Sequence, residues 1–147
     1  MKILVTYQSK TGFTKRYAQW IGEELSCECK ELTSVDATQL ADYDLVIHGG
    51  WIMVGMVKGL EKVKSFQPRK LMVFGVGFTD EKEADIKSWI EANKLAGIPF
   101  FYYQGGMNPD KMGIVGKTMV KMATKQKPEY VDYTNRDKIQ ELVAAVK

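Results

Sequence analysis

The sequence predicts an α/β fold, a doubly wound parallel sheet of five strands in the order 2-1-3-4-5. Three observations lead there. Short, largely uncharged, β-rich runs alternate with segments whose apolar residues recur at helical spacing. The runs Leu45-Val46-Ile47 and Leu71-Met72-Val73-Phe74 are apolar without alternation, as strands covered on both faces are. The chain has 147 residues, 45% hydrophobic and 27% charged, which suits one domain (1–147) around one sizeable core. No repeat, low-complexity tract or linker divides it.

Taken in order, residues 2–7 (KILVTY) form the first strand. Residues 14–25 follow as a helix, with Tyr17, Trp20, Ile21 and Leu25 on one face. Residues 27–33 make a more polar second strand, suited to a sheet edge. Residues 34–43 hold a short helix, and 44–48 (DLVIH) a buried strand that opens into a glycine-bearing loop reaching to Lys58. A helix then runs to Phe66 and ends at Gln67-Pro68-Arg69. Residues 70–76 are the fourth strand. Thr79 or Asp80 is predicted to cap the next helix, whose apolar face is Ile86, Trp89, Ile90 and Leu95. Gly97 stops that helix, residues 98–103 form the fifth strand, and 135–146 close the fold as a helix.

Charge and composition exclude several classes. Lys and Arg total 21 against 18 Asp and Glu, and a net +3 is too small to imply nucleic-acid binding. The longest uncharged stretches, 45–57 and 95–109, are too short to span a bilayer, and the N-terminal run lacks a secretory signal. A soluble cytoplasmic domain is expected. Cys27 and Cys29 stand two apart and His48 is the single histidine, so neither a metal site nor a redox pair is expected. No acid–base pair marks a dedicated catalytic side chain.

In this topology ligands bind beyond the C-terminal ends of the strands, where the strand order reverses. There Tyr7 is followed by Gln8-Ser9-Lys10-Thr11-Gly12-Phe13-Thr14, leading directly into a helix. Hydroxyls at Ser9, Thr11 and Thr14, Gly12 for close backbone approach, and a helix N-terminus together make a phosphate cradle. Helix capping by Thr11 or Thr14 is the plainer reading. The stretch Ser9 to Thr14 resembles the [ST]-x-T-G-x-T phosphate loop of flavodoxins, and the likeness in element order extends along essentially the whole chain. That resemblance implies FMN as cofactor, with Ser9, Lys10, Thr11, Gly12, Phe13 and Thr14 at its phosphate.

The same resemblance assigns the loops after the third and fourth strands to the flavin ring. Gly50, Trp51, Ile52 and Met53 would face it from one side, and Gly75, Val76, Gly77, Phe78 and Thr79 from the other. Core packing is the other reading of Trp51, and ordinary loop packing that of Phe78. Between the fifth strand and the closing helix lies an insertion with a short basic helix. Residues 111–127 carry Lys111, Lys117, Lys121, Lys125 and Lys127 and no acid, with Met112, Val115, Met119 and Met122 opposite Lys117, Lys121 and Lys125. The methionine stripe packs on the domain, or it offers a platform to an anionic membrane or an apolar partner. Gly105-Gly106-Met107 with this helix and Tyr130-Val131-Asp132-Tyr133-Thr134 resembles the flavodoxin-like, quinone-dependent protoporphyrinogen oxidases, although the insertion lacks their aromatic and arginine run. The functional expectation is an FMN-containing electron-transfer protein whose partner is a redox protein or a quinone. Alternatives are an oxidoreductase of that oxidase type, peripheral at the membrane's inner face, and a flavin-free interaction module.

Overall fold

The first apolar run becomes strand β1 (Ile3–Gln8) and feeds helix α1 (Phe13–Leu25). There follow β2 (Glu28–Glu31), α2 (Ala37–Leu40), β3 (Leu45–Met53), β4 (Met56–Val57), α3 (Leu60–Ser65), β5 (Leu71–Gly77), α4 (Ile86–Ala92) and β6 (Phe100–Gln104). The chain ends through β7 (Gly106–Met107), α5 (Ile114–Thr124), β8 (Val131–Asp132) and α6 (Gln140–Val146). The structure is a computed structural model and describes residues 1–125 and 128–147. Lys127, the last cation of the basic insertion, lies outside the described residues.

Parallel pairing orders the main sheet β2-β1-β3-β5-β6, which is the expected progression when parallel strands alone are counted. The sheet departs from expectation by one extra strand, β4, paired antiparallel to the end of β3. A separate antiparallel ribbon, β7–β8, brackets the segment that carries α5.

Side-chain alternation along the strands builds a core on each face of the sheet. Val5, Ile47 and Phe74 point toward α1 and α6, meeting Tyr17, Ala18, Ile21, Leu142 and Val143. Leu4 and Val46 point the other way, to Leu40 of α2 and Val63 of α3, while Val73 meets Leu60 and Leu95. Each of these buried aliphatic side chains contributes about 1.5–3 kcal/mol.

Two predicted boundaries are corrected. The expected loop after His48 is strand as far as Met53: β5 continues the ladder through Gly50↔Gly75 and Trp51↔Val76, and β4 then pairs Ile52 with Val57 and Met53 with Met56. Neither Thr79 nor Asp80 caps α4. Asp85 does, its carboxylate accepting the Ser88 N–H at 3.2 Å, while Asp80 closes a local turn onto the Lys82 N–H. Glu81 is drawn away from any helix by the Gln104 N–H at 2.8 Å and by Lys138 at 2.6 Å.

Candidate functional site

The C-terminal ends of β1, β3 and β5 open into a cleft of about 340 Å³. Lys10, Thr11, Phe13 and Thr14 line it from the first loop, Trp51, Ile52 and Met53 from β3, and Val76, Gly77 and Phe78 from β5. A fourth wall comes from beyond β6, through Gly106, Met107, Met112, Val115, Gly116, Met119 and Val120.

One end of the cleft is built to meet an anion. Gly12, at φ +98°, heads α1 in a backbone conformation that disfavours any side chain. The Ser9 hydroxyl accepts the Gly12 N–H at 3.1 Å and fixes the turn. Helix α1 begins with no side-chain cap and no acid in its first turn, and its first helical bond runs from the Arg16 N–H to the Gly12 carbonyl. The amides before it therefore lie at the positive end of the helix without helical partners. Among the described residues neither the Thr11 nor the Thr14 hydroxyl has a hydrogen-bond partner, although Thr14 is buried.

The rest of the cleft is apolar and aromatic. Trp51 is half-buried, with the Lys10 and Lys58 ammonium groups 5.8 and 5.3 Å from its ring centroid, within cation–π range. Phe78 is exposed and meets Tyr133 edge-on, centroids 6.1 Å apart. The α5 face opposite carries Val115 and Met119, both still exposed.

Several buried polar contacts hold these walls. Asn93 clamps the β3–β4 hairpin: its carbonyl oxygen accepts the Val57 N–H at 2.9 Å, and its amide donates to the Gly55 and Trp89 carbonyls at 2.8 and 2.7 Å. Buried His48 bridges the Thr6 hydroxyl and the Lys58 carbonyl. The Tyr17 hydroxyl donates to the Gln104 carbonyl at 2.8 Å, and burial pushes its ionisation well above the usual tyrosine range. Arg16 pairs with Asp132 at 2.5 Å, tying α1 to β8.

Of the residues expected at the site, ten line the cleft: Lys10, Thr11, Phe13, Thr14, Trp51, Ile52, Met53, Val76, Gly77 and Phe78. Ser9 and Gly12 shape the turn beside it. Gly50 serves packing, since a Cβ there would fall 2.1 Å from the Lys58 carbonyl oxygen. Gly75 makes room for Ile52, and the Thr79 carbonyl accepts the Tyr102 hydroxyl at 2.6 Å. The residues that sequence reasoning left out of the site are those of β7 and α5. Their signal was the stripe of Met112, Val115 and Met119, whose facing surface the pattern alone does not identify.

Burial raises the Cys27 and Cys29 thiols to about 11, the range of inert thiols. Among the described residues no group of His, Cys, Asp and Glu is placed to hold a metal ion, and no helix is long and apolar enough to cross a membrane.

No curated protein matches the chain at a significant level. Solved structures do. A flavodoxin from the domain Archaea is 16% identical, with a TM-score of 0.53 over 85% of this chain and 98% of its own. Oxidised flavodoxin 2 from Bacillus cereus is 23% identical, with a TM-score of 0.51 over 71% of this chain and 84% of its own. Flavodoxin 1 from the same organism is 15% identical, with a TM-score of 0.51 over 86% of this chain and 100% of its own. These likenesses show the fold, and they lend no support to the narrower resemblance to protoporphyrinogen oxidases. The family profile described as flavodoxin domain matches residues 4–134, nearly the whole length, and the chain belongs to the flavodoxin domain family.

Proposed function

We propose that the cleft binds FMN and that the protein transfers electrons through that flavin. The observation that carries this reading is the head of α1, uncapped and free of acid, with two unpartnered threonine hydroxyls, opening into an aromatic cleft. This donor set fits a phosphomonoester, and the apolar walls fit a planar ring. Bound FMN supplies one- and two-electron chemistry. The chain's own residues hold and shield it. Thr11, Thr14 and the α1 amides donate to the phosphate, Trp51 and Phe78 flank the ring site, and Asn93 keeps the hairpin that carries Trp51 in place. Met112, Val115 and Met119 narrow the mouth and displace water.

The test is direct. Purified protein is expected to be yellow or to take up added FMN, and heat-released flavin to run as FMN. A colourless protein that takes up none is the outcome for a flavin-free interaction module and would end this reading. Thr11→Ala is expected to weaken FMN binding by about 1.5–3 kcal/mol, the worth of a hydrogen bond to a charged group. Unchanged affinity would place the phosphate elsewhere.

A second reading, an FMN oxidoreductase acting on a quinone or a porphyrinogen, is favoured by the apolar α5 wall beside the ring site. Oxidation of protoporphyrinogen by the flavin-loaded protein with a quinone acceptor is its assay, and no turnover leaves the electron carrier. The exposed lysines 117, 121 and 125 favour a partner of opposite charge, and a redox protein with an acidic face is the one proposed. Sedimentation with anionic vesicles would instead favour a site at the inner face of the membrane.

A further inference from the structure

We propose that Lys111, from the insertion, is a phosphate-binding residue that closes over the head of α1. This rests on the FMN reading and deepens it. Lys111 ends a short turn (Pro109–Lys111) that opens on a proline and is capped by Asn108, whose side chain accepts the Asp110 N–H at 3.2 Å. The Lys111 N–H bonds back to the Asn108 carbonyl at 3.1 Å, so the backbone that aims the side chain is fixed. Its ammonium nitrogen lies 3.8 Å from the point that a Cβ on Gly12 would occupy.

Among the described residues nothing pairs with that charge: Lys111 has no ion-pair or hydrogen-bond partner for its side chain, and its neighbour Asp110 does not pair with it. The first turn of α1 adds Lys15 and Arg16 and no acid, and among the described residues only Arg16 is ion-paired, through Asp132. Lys10 stands on the same loop. Unit positive charge thus gathers at the positive end of a 13-residue helix, where the dipole calls for the opposite sign. Left without an anion this arrangement repels itself. A dianionic phosphomonoester there is attracted by the helix end and by the Lys111 ammonium, and charge-assisted hydrogen bonds from an ammonium are among the strong ones. The insertion therefore supplies the phosphate site with a cation, and the phosphate in turn fastens the insertion to the domain.

The experiment compares FMN with riboflavin, which has the same ring and no phosphate, in wild type, Lys111→Gln, Lys111→Arg and a Lys117→Gln control. Lys111→Gln is expected to lose about tenfold or more in FMN affinity while keeping riboflavin affinity. Lys111→Arg should restore most of the loss, Lys117→Gln should match wild type, and the salt dependence of FMN binding should shrink in Lys111→Gln alone. Equal losses for both flavins, or an unchanged ratio of the two affinities, would overturn the role of Lys111 while leaving the cofactor standing. Wild type that binds neither flavin would overturn both. Thermal melts of the four proteins confirm that each is folded.

Discussion

His48 is fully buried, and its partners settle its protonation. The Lys58 carbonyl at 2.8 Å can only accept, so Nε2 carries the proton, and Nδ1 accepts the Thr6 hydroxyl at 2.9 Å. Burial pushes the ring down to about 4 from the ordinary 6.5, against the pull of the Lys58 carbonyl. An unfolded histidine takes its proton near pH 6.5, whereas the folded one stays neutral until near pH 4. The stabilisation is complete above pH 6.5 and is lost as pH falls toward 4, by about 3 kcal/mol in all. His48 is the single histidine, so one NMR titration checks this: its ring signals should stay those of neutral imidazole at pH 5. Asn93 matters in a different way, because three hydrogen bonds converge on one side chain. Asn93→Ala leaves the buried Val57 N–H unpaired and is expected to cost about 2–3 kcal/mol in urea unfolding. FMN affinity should fall with it as the hairpin loosens.

At the scale of elements, the β3–β4 hairpin turns through Val54 and Gly55, both at positive φ, 50° and 78°. A two-residue hairpin turn favours that geometry, but a β-branched residue does not, and Val54 is 89% exposed, so packing returns little. Val54→Asn is expected to stabilise the fold by about 1 kcal/mol, read as a higher melting temperature. The strands themselves were legible, since Leu45 to Ile47 and Leu71 to Phe74 announce burial on both faces. The continuation of β3 through Gly49 to Trp51 was not, because its cause is a ladder to β5, remote in sequence, and the β4 hairpin then carries the strand on to Met53. The late start of α4 was hidden for the same kind of reason: Glu81 is held by Gln104, 23 residues away. The loop from Ser9 to Thr14 was readable because its chemistry is local. The α5 wall was not, since amphipathic spacing reveals a face and not what the face meets.

For the whole molecule, the surplus of +3 is unevenly placed. Lys111, Lys117, Lys121 and Lys125 fall in one segment without an acid, whose apolar residues line the cleft. Electron transfer to an acidic partner protein is therefore expected to slow steeply as salt rises from 10 mM toward 0.5 M, in stopped-flow measurements. A rate indifferent to salt would remove the lysines from the docking face.

The small β7–β8 ribbon has a wider consequence. It zips Met107 to Val131 and Gly106 to Asp132, and the Tyr133 N–H bonds to the Gly105 carbonyl at 2.8 Å, so both ends of the intervening segment leave the domain side by side. Closing such a pair of ends depends only weakly on how much chain lies between them. Exchanging residues 108–130 for an Asn-Gly turn should then leave the sheet and its melting cooperative, as followed by circular dichroism. In engineering terms the ribbon is a socket. Inserts of other lengths and charges could be seated there to change which partner the flavin cleft serves, with the scaffold beneath left as it is.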